Sequence, residues 1–90
     1  MLFNGHDEDE LRRQARAALN AAIIPREGPT GIWGGNGSGE SCPVCGHCID
    51  ASEMELEMEF AVESASGVRE FHLHLPCFAA WEIERKIAPG

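Results

Sequence analysis

The sequence predicts one small α+β domain built around a β-hairpin. Three observations point there. Residues 52–63 alternate strictly, with Met54, Leu56, Met58, Phe60 and Val62 set against Glu53, Glu55, Glu57, Glu59 and Glu63, broken only by Ala61; a period of two belongs to a strand with one face inward. A Ser64-Ala65-Ser66-Gly67 turn leads into a return strand over 68–73, with Phe71 and Leu73 on one face and Glu70 and His72 on the other. The hairpin is bracketed by two Cys/His pairs, Cys42-x-x-Cys45 and His74-x-x-Cys77, and beyond them by stretches of helical period.

The first of those helices is expected from Asp7 to Ile23 or Ile24. Asp7, Glu8, Asp9 and Glu10 suit the positive end of a helix dipole. Leu11, Ala15, Ala18, Leu19 and Ala22 form one narrow apolar stripe, with Arg12, Arg13 and Arg16 mostly on the other side. Pro25 disfavours helix in the residue before it. The stripe is expected to dock on the rest of the domain, with a partner as the alternative. Residues 25–41 read as a Gly/Pro-rich loop without regular structure, in which Trp33 is expected to fold back onto the core. The last helix runs from Pro76 to about Ile87. Pro76 suits a first helical position, Phe78 and Trp81 face inward, Glu82 and Lys86 form an i, i+4 pair, and Pro89-Gly90 stops the helix. The expected division is residues 1–24 as an N-terminal helix, 25–41 as loop, and 42–90 as the unit that holds the chemistry.

Composition bounds the function. A chain of 90 residues buries only part of its surface on folding, and domains of this size commonly need a staple. The first residues show neither a basic nor an apolar leader region, and no run approaches the ~18 apolar residues of a membrane span. The expected location is therefore the cytoplasm, where clustered thiols are more often metal ligands than disulfides. The formal net charge is −8, and three thiolates around a dication would make it more negative. Such a surface repels phosphate backbones, so nucleic acid is a poor partner and a basic protein a better one. Neither a membrane partner nor a small-molecule substrate is indicated.

Four Cys and four His supply the staple. Zinc takes four N or S ligands in a tetrahedron, often as two chelating pairs. The gap in Cys42-x-x-Cys45 lets a tight turn aim both sulfurs one way, with Gly46 where the backbone must be permissive. In His74-x-x-Cys77 the histidine ends a strand and the cysteine lies in the first helical turn, where the dipole favours thiolate. One Zn2+ held by Cys42, Cys45, His74 and Cys77 is the expected site; Cys48 or His72 could each stand in for His74. Iron fits three thiolates and an imidazole less well. Cys48 otherwise reads as a buried small hydrophobe, and His47 and His6 as exposed loop residues.

The run Cys42-Pro43-Val44-Cys45-Gly46 with His74-x-x-Cys77-Phe78 resembles treble-clef zinc fingers, in which a Cys knuckle, a hairpin and a helix start share one metal. His-x-x-Cys-Phe is similar to the middle of a LIM half-site, but no second Cys-x-x-Cys follows to open another site. The wider pattern, with its Ala-rich helix and Trp-Gly-Gly loop, resembles small bacterial zinc-finger-like proteins of unassigned function. The resemblance covers residues 42–87 and implies a fold and a metal, with no activity attached.

Other chemistries fit less well. Gly34 to Ser41 is one residue from a phosphate loop, but Glu40 stands where Lys should meet the phosphates. Cys42-Pro-Val-Cys45 could be a thiol redox pair, yet that chemistry needs a helix after the first Cys and a βαβ context behind it. A zinc deaminase would need H-x-E ahead of P-C-x-x-C. The Glu row itself reads as a solvated face that guards a strand edge, with an acidic docking face as the alternative. Taken together, the sequence points to a structural zinc module that presents a surface to a protein, and not to an enzyme.

Overall fold

The computed structural model describes residues 8–61 and 68–87; the expected Ser64–Gly67 turn, the Pro89-Gly90 stop, His6 and the first residue of the first helix lie outside them. The elements run α1 (Glu8–Asn20), β1 (Gly31–Asn36), β2 (Met54–Ala61), β3 (Val68–His74) and α2 (Leu75–Arg85). The three strands form one antiparallel sheet in the order β1-β2-β3. No helix among the described residues is long and apolar enough to cross a membrane.

The period of two in β2 and β3 sorts residues onto the two sheet faces. Leu56 sits opposite Leu73 and Met58 opposite Phe71; Met58, Phe60 and Leu73 are buried. They meet α2 through Trp81, whose ring stands edge-on to Phe60 at 6.3 Å, while Phe60 and Phe71 pack edge-on at 5.4 Å. The Trp81 Nε1–H donates to the Pro25 carbonyl at 3.0 Å, so the largest core side chain has its polar atom satisfied. Met54, expected inward, is exposed at the strand's start.

α1 docks in cis, against α2. Leu11, Ala15, Ala18 and Leu19 are buried in that seam, the small alanines letting the helices approach closely. Arg12 and Arg16 were expected on the far side. Instead they flank the stripe and reach across to Glu84 of α2, Arg12 Nε at 2.7 Å and Arg16 Nε at 3.1 Å. Glu84 is only 2 % exposed, and the guanidinium of Arg16, helped by Arg12, holds its carboxyl below the usual range against the cost of burial. α1 ends earlier than expected, at Asn20. Ile23 N–H donates to Ala18 and Ala22 N–H to Leu19, a Schellman arrangement that puts Ala22 at φ +58°.

The 25–41 stretch departs most from expectation, because it contains β1. Gly31 to Asn36 pair with Glu59 to Met54 in register, and the Thr30 and Gly37 amides extend the pairing to the Glu59 and Glu53 carbonyls. Glycine is a poor strand former on propensity grounds, but each ladder bond here is supplied by β2. Trp33 lies outside the core, 53 % exposed. It rests over Gly31, where an added Cβ would come within 2.6 Å of the indole. With β1 on one side and β3 on the other, β2 is central, so its Glu row guards no edge.

Candidate metal centre

Two separate pieces of chain supply the four donors. The first is a knuckle closed on itself: Cys42 N–H donates to the His47 carbonyl at 2.9 Å and Gly46 N–H to the Cys42 carbonyl at 2.8 Å. Gly46 turns with φ +82°, a backbone region that a side chain would strain. Below the knuckle Ser41 bridges Cys48, Gly39 N–H bonds to Ile49, and Ile49 N–H returns to Glu40, so the loop stands on a short stem. Gly37 packs so tightly on this stem that a Cβ would sit 1.9 Å from the Asp50 carbonyl oxygen.

The other two donors come from the junction of β3 and α2. His74 closes β3 in extended conformation and caps α2, and Cys77 falls in the first turn, after Pro76. Cys42 and Cys77 are fully buried and His74 is 3 % exposed, while Cys45 is half-buried. One donor atom from each of Cys42, Cys45, His74 and Cys77 lies within 4.8 Å of all the others. Those four residues could hold one metal ion.

Their electrostatics suit a cation. In the metal-free chain Cys42 is pulled down to about 4, chiefly because the Cys77 thiol donates to it, with the Cys45 and His74 amides adding to the effect against burial. Cys77 is pushed up in turn, since its proton is held by Cys42 and its surroundings are dry. Burial raises Cys45 as well. Burial works against charge on His74, but the Cys42 thiolate outweighs it and raises the imidazole. The mutual hydrogen bonds thus favour a thiolate within the cluster while burial resists further charge. A dication entering the cluster would displace the thiol protons, the usual coupling of metal binding to proton release.

The alternatives for the fourth donor lie elsewhere. Cys48 is exposed on the stem rather than buried beside the knuckle. His72 points to the outer sheet face and donates from Nδ1 to Glu55 at 2.8 Å. Glu55 is buried, contrary to the solvated row expected, and also accepts from the Ser38 N–H at 2.9 Å and Ser38 Oγ–H at 2.7 Å. Glu53, read from sequence as one more member of the row, lies instead against the His74 ring, its Oε1 3.2 Å from Nε2. A long acidic row hides such differences, because nothing in its period distinguishes one Glu from the next.

No family model, curated protein or solved structure matches the chain.

Proposed function

We propose that the chain is a structural zinc module, with one Zn2+ held by Cys42, Cys45, His74 and Cys77 in a treble-clef-like arrangement. The observation that carries this is the convergence of two Cys and one Cys/His pair, from a knuckle and a strand–helix junction, onto one largely buried point. Three thiolates and an imidazole are a zinc donor set. Four protein ligands complete the tetrahedron and leave no position for substrate water, so the ion's work is to tie the knuckle to the β3–α2 junction. A reducing compartment such as the cytoplasm fits thiols kept for metal.

The module's task is protein interaction, presented by the outer face of the sheet. There exposed Trp33 stands opposite Glu57, and Glu59 stands opposite Glu70. The carboxylates of Glu57, Glu59 and Glu70 lie within 4.8 Å of one another, and like charges directly across a sheet repel. A partner segment carrying Lys or Arg would relieve that repulsion and could stack on the indole. The same face opposes nucleic acid. A thiol redox role for Cys42 and Cys45 is disfavoured by the burial of Cys42, whose sulfur has no exposed surface for a substrate disulfide to reach.

Elemental analysis of purified protein tests the metal, with one equivalent of zinc per chain expected; a metal-free chain that takes up none from a zinc buffer rejects it. The partner is tested separately, by titrating a Lys/Arg-rich peptide into zinc-loaded protein. Binding should weaken with salt and with Trp33→Ala, and salt-independent or absent binding rejects the interaction role while leaving the metal in place.

A further inference from the structure

We infer that Glu53 is the positioning residue of this centre: its carboxylate selects the His74 tautomer, so that Nδ1 and not Nε2 faces the three sulfurs. The inference rests on the metal reading above and assigns a residue that reading does not use. A neutral imidazole carries one N–H and one lone pair, and only the lone pair can meet a metal. The two ring nitrogens of His74 have different neighbours. Nδ1 lies 3.4 Å from Cys45 Sγ, and Nε2 lies 3.2 Å from Glu53 Oε1. An ionised carboxylate can only accept, so the proton belongs on Nε2 and the lone pair on Nδ1, inside the cluster.

Glu53 is held for this task by its own turn. Its Oε1 accepts from the Asp50 N–H at 2.9 Å, and its N–H donates to the Asp50 carbonyl at 2.9 Å. Its carbonyl accepts from the Gly37 N–H at 2.9 Å. The carboxylate is therefore placed by backbone on both sides before it meets the ring. The ring is nearly enclosed, its side chain 4 % exposed, which leaves little room for water to substitute as acceptor.

The β2–β3 ladder contains an internal control. His74 stands opposite Glu55, and His72 opposite Glu57. Each histidine nonetheless bonds the carboxylate two residues before its opposite number, His74 to Glu53 and His72 to Glu55. This is the diagonal contact that long side chains make across an antiparallel pair. A carboxylate–imidazole pair is thus built twice, through Nε2 at His74 beside the thiol cluster and through Nδ1 at His72 away from it. A carboxylate behind a metal-bound imidazole fixes its orientation and raises its basicity, and losing one typically weakens metal binding about 10- to 100-fold.

The test compares zinc affinity, by competition with a chromophoric chelator, for the wild-type chain and the Glu53→Gln, Glu53→Ala and Glu55→Gln variants. It adds long-range 1H–15N spectra of the His74 ring in zinc-loaded protein. Wild type should show zinc on Nδ1 and a slowly exchanging proton on Nε2. Glu53→Ala should weaken zinc about 10- to 100-fold and speed that exchange. Glu53→Gln, which keeps an acceptor oxygen without the charge, should fall between, and Glu55→Gln should bind zinc as wild type does. Should Glu53→Ala fail to fold, the wild-type ring assignment and the Glu53→Gln affinity still decide. Zinc on Nε2, or a Glu53→Gln affinity equal to wild type with Nε2–H exchange unchanged, overturns the inference and leaves the zinc module standing. A wild-type chain that binds no zinc overturns both.

Discussion

The two ends of this molecule are held together by opposite means. Where the knuckle meets the β3–α2 junction, three sulfurs and an imidazole converge, with Val44 and Ile49 of the knuckle and its stem buried in the same core. Where α1 meets α2, the contact is made by Leu11, Ala15, Ala18 and Leu19 and by the buried carboxylate of Glu84 between Arg12 and Arg16. The helix end supplies no donor from α1, but its other half, α2, starts at the cluster with Cys77. The knuckle end is conditional, since buried thiols converging on one point would gain most from a cation that replaces their protons. On the proposed zinc reading, much of the stability of so small a chain rests on these four side chains.

The largest expected effect therefore comes from the knuckle end. Structural zinc sites contribute on the order of 10 kcal/mol in small modules, comparable with the whole stability of a domain. Chelation, or Cys77→Ala, should abolish folding of residues 42–87, while Cys48→Ala, on the exposed stem, should not. Amide dispersion in NMR spectra reads the outcome. A chelated chain with native dispersion over 42–87 would break the comparison, because the knuckle would then hold without a cation.

Next comes the stem beneath the knuckle. Gly37→Ala drives a methyl against backbone oxygen at Asp50, which no side-chain rotation can relieve. It should cost about 3 kcal/mol, the upper range for overpacking. Gly35→Ala, with nothing within 4 Å of the added carbon, serves as the control in the same chemical denaturation series. Equal midpoints for the two would mean that the stem is not tightly packed.

At the helix end Glu84 carries the polar part of the seam. Glu84→Ala should cost about 2 kcal/mol, the scale of hydrogen bonds to a charged group, since Arg12 and Arg16 can return to water. The pair also predicts a pH dependence with a definite sign. The folded-state carboxyl is depressed below its ordinary value of 4.5. Its contribution is thus fully present above that value and lost as pH falls through the lower folded value. Wild-type stability should drop on acidification in this window, and Glu84→Gln should flatten that drop. An identical acid limb in the variant would remove Glu84 from the account.

What could be read from sequence follows the same division between local and distant causes. The β2–β3 hairpin, the two helices and the pairs Cys42/Cys45 and His74/Cys77 were legible because each is written in short-range spacing. β1 was not, because its Gly-rich residues form a strand only through bonds supplied by β2. Trp33 was expected in the core and lies outside it for the same reason: once β1 joins the sheet, period two fixes which face its side chain takes. Glu53, Glu55 and Glu57 are indistinguishable in the alternating row. One nonetheless braces His74, one is buried with Ser38 and His72, and one stands beside an exposed indole. Those fates depend on the cross-strand register, which no count along a single strand contains.

The smallest expected effect is a gain, again at the helix end. Ala22 closes α1 at φ +58°, a conformation that costs a residue with a Cβ roughly 1–2 kcal/mol. Glycine escapes that strain but loses more freedom on folding, by roughly 0.5–1 kcal/mol. The balance makes Ala22→Gly stabilising by about 0.5–1 kcal/mol, or roughly 2–8 °C in the melting midpoint of the zinc-loaded chain. The side chain of Ala22 is exposed, so no packing is lost with the methyl. The Ile23-to-Ala18 and Ala22-to-Leu19 hydrogen bonds are main-chain and survive the change. A lower midpoint would mean that α1 does not end in this left-handed turn, and that Ile24, buried just beyond it, is brought into the core by some other path of the chain.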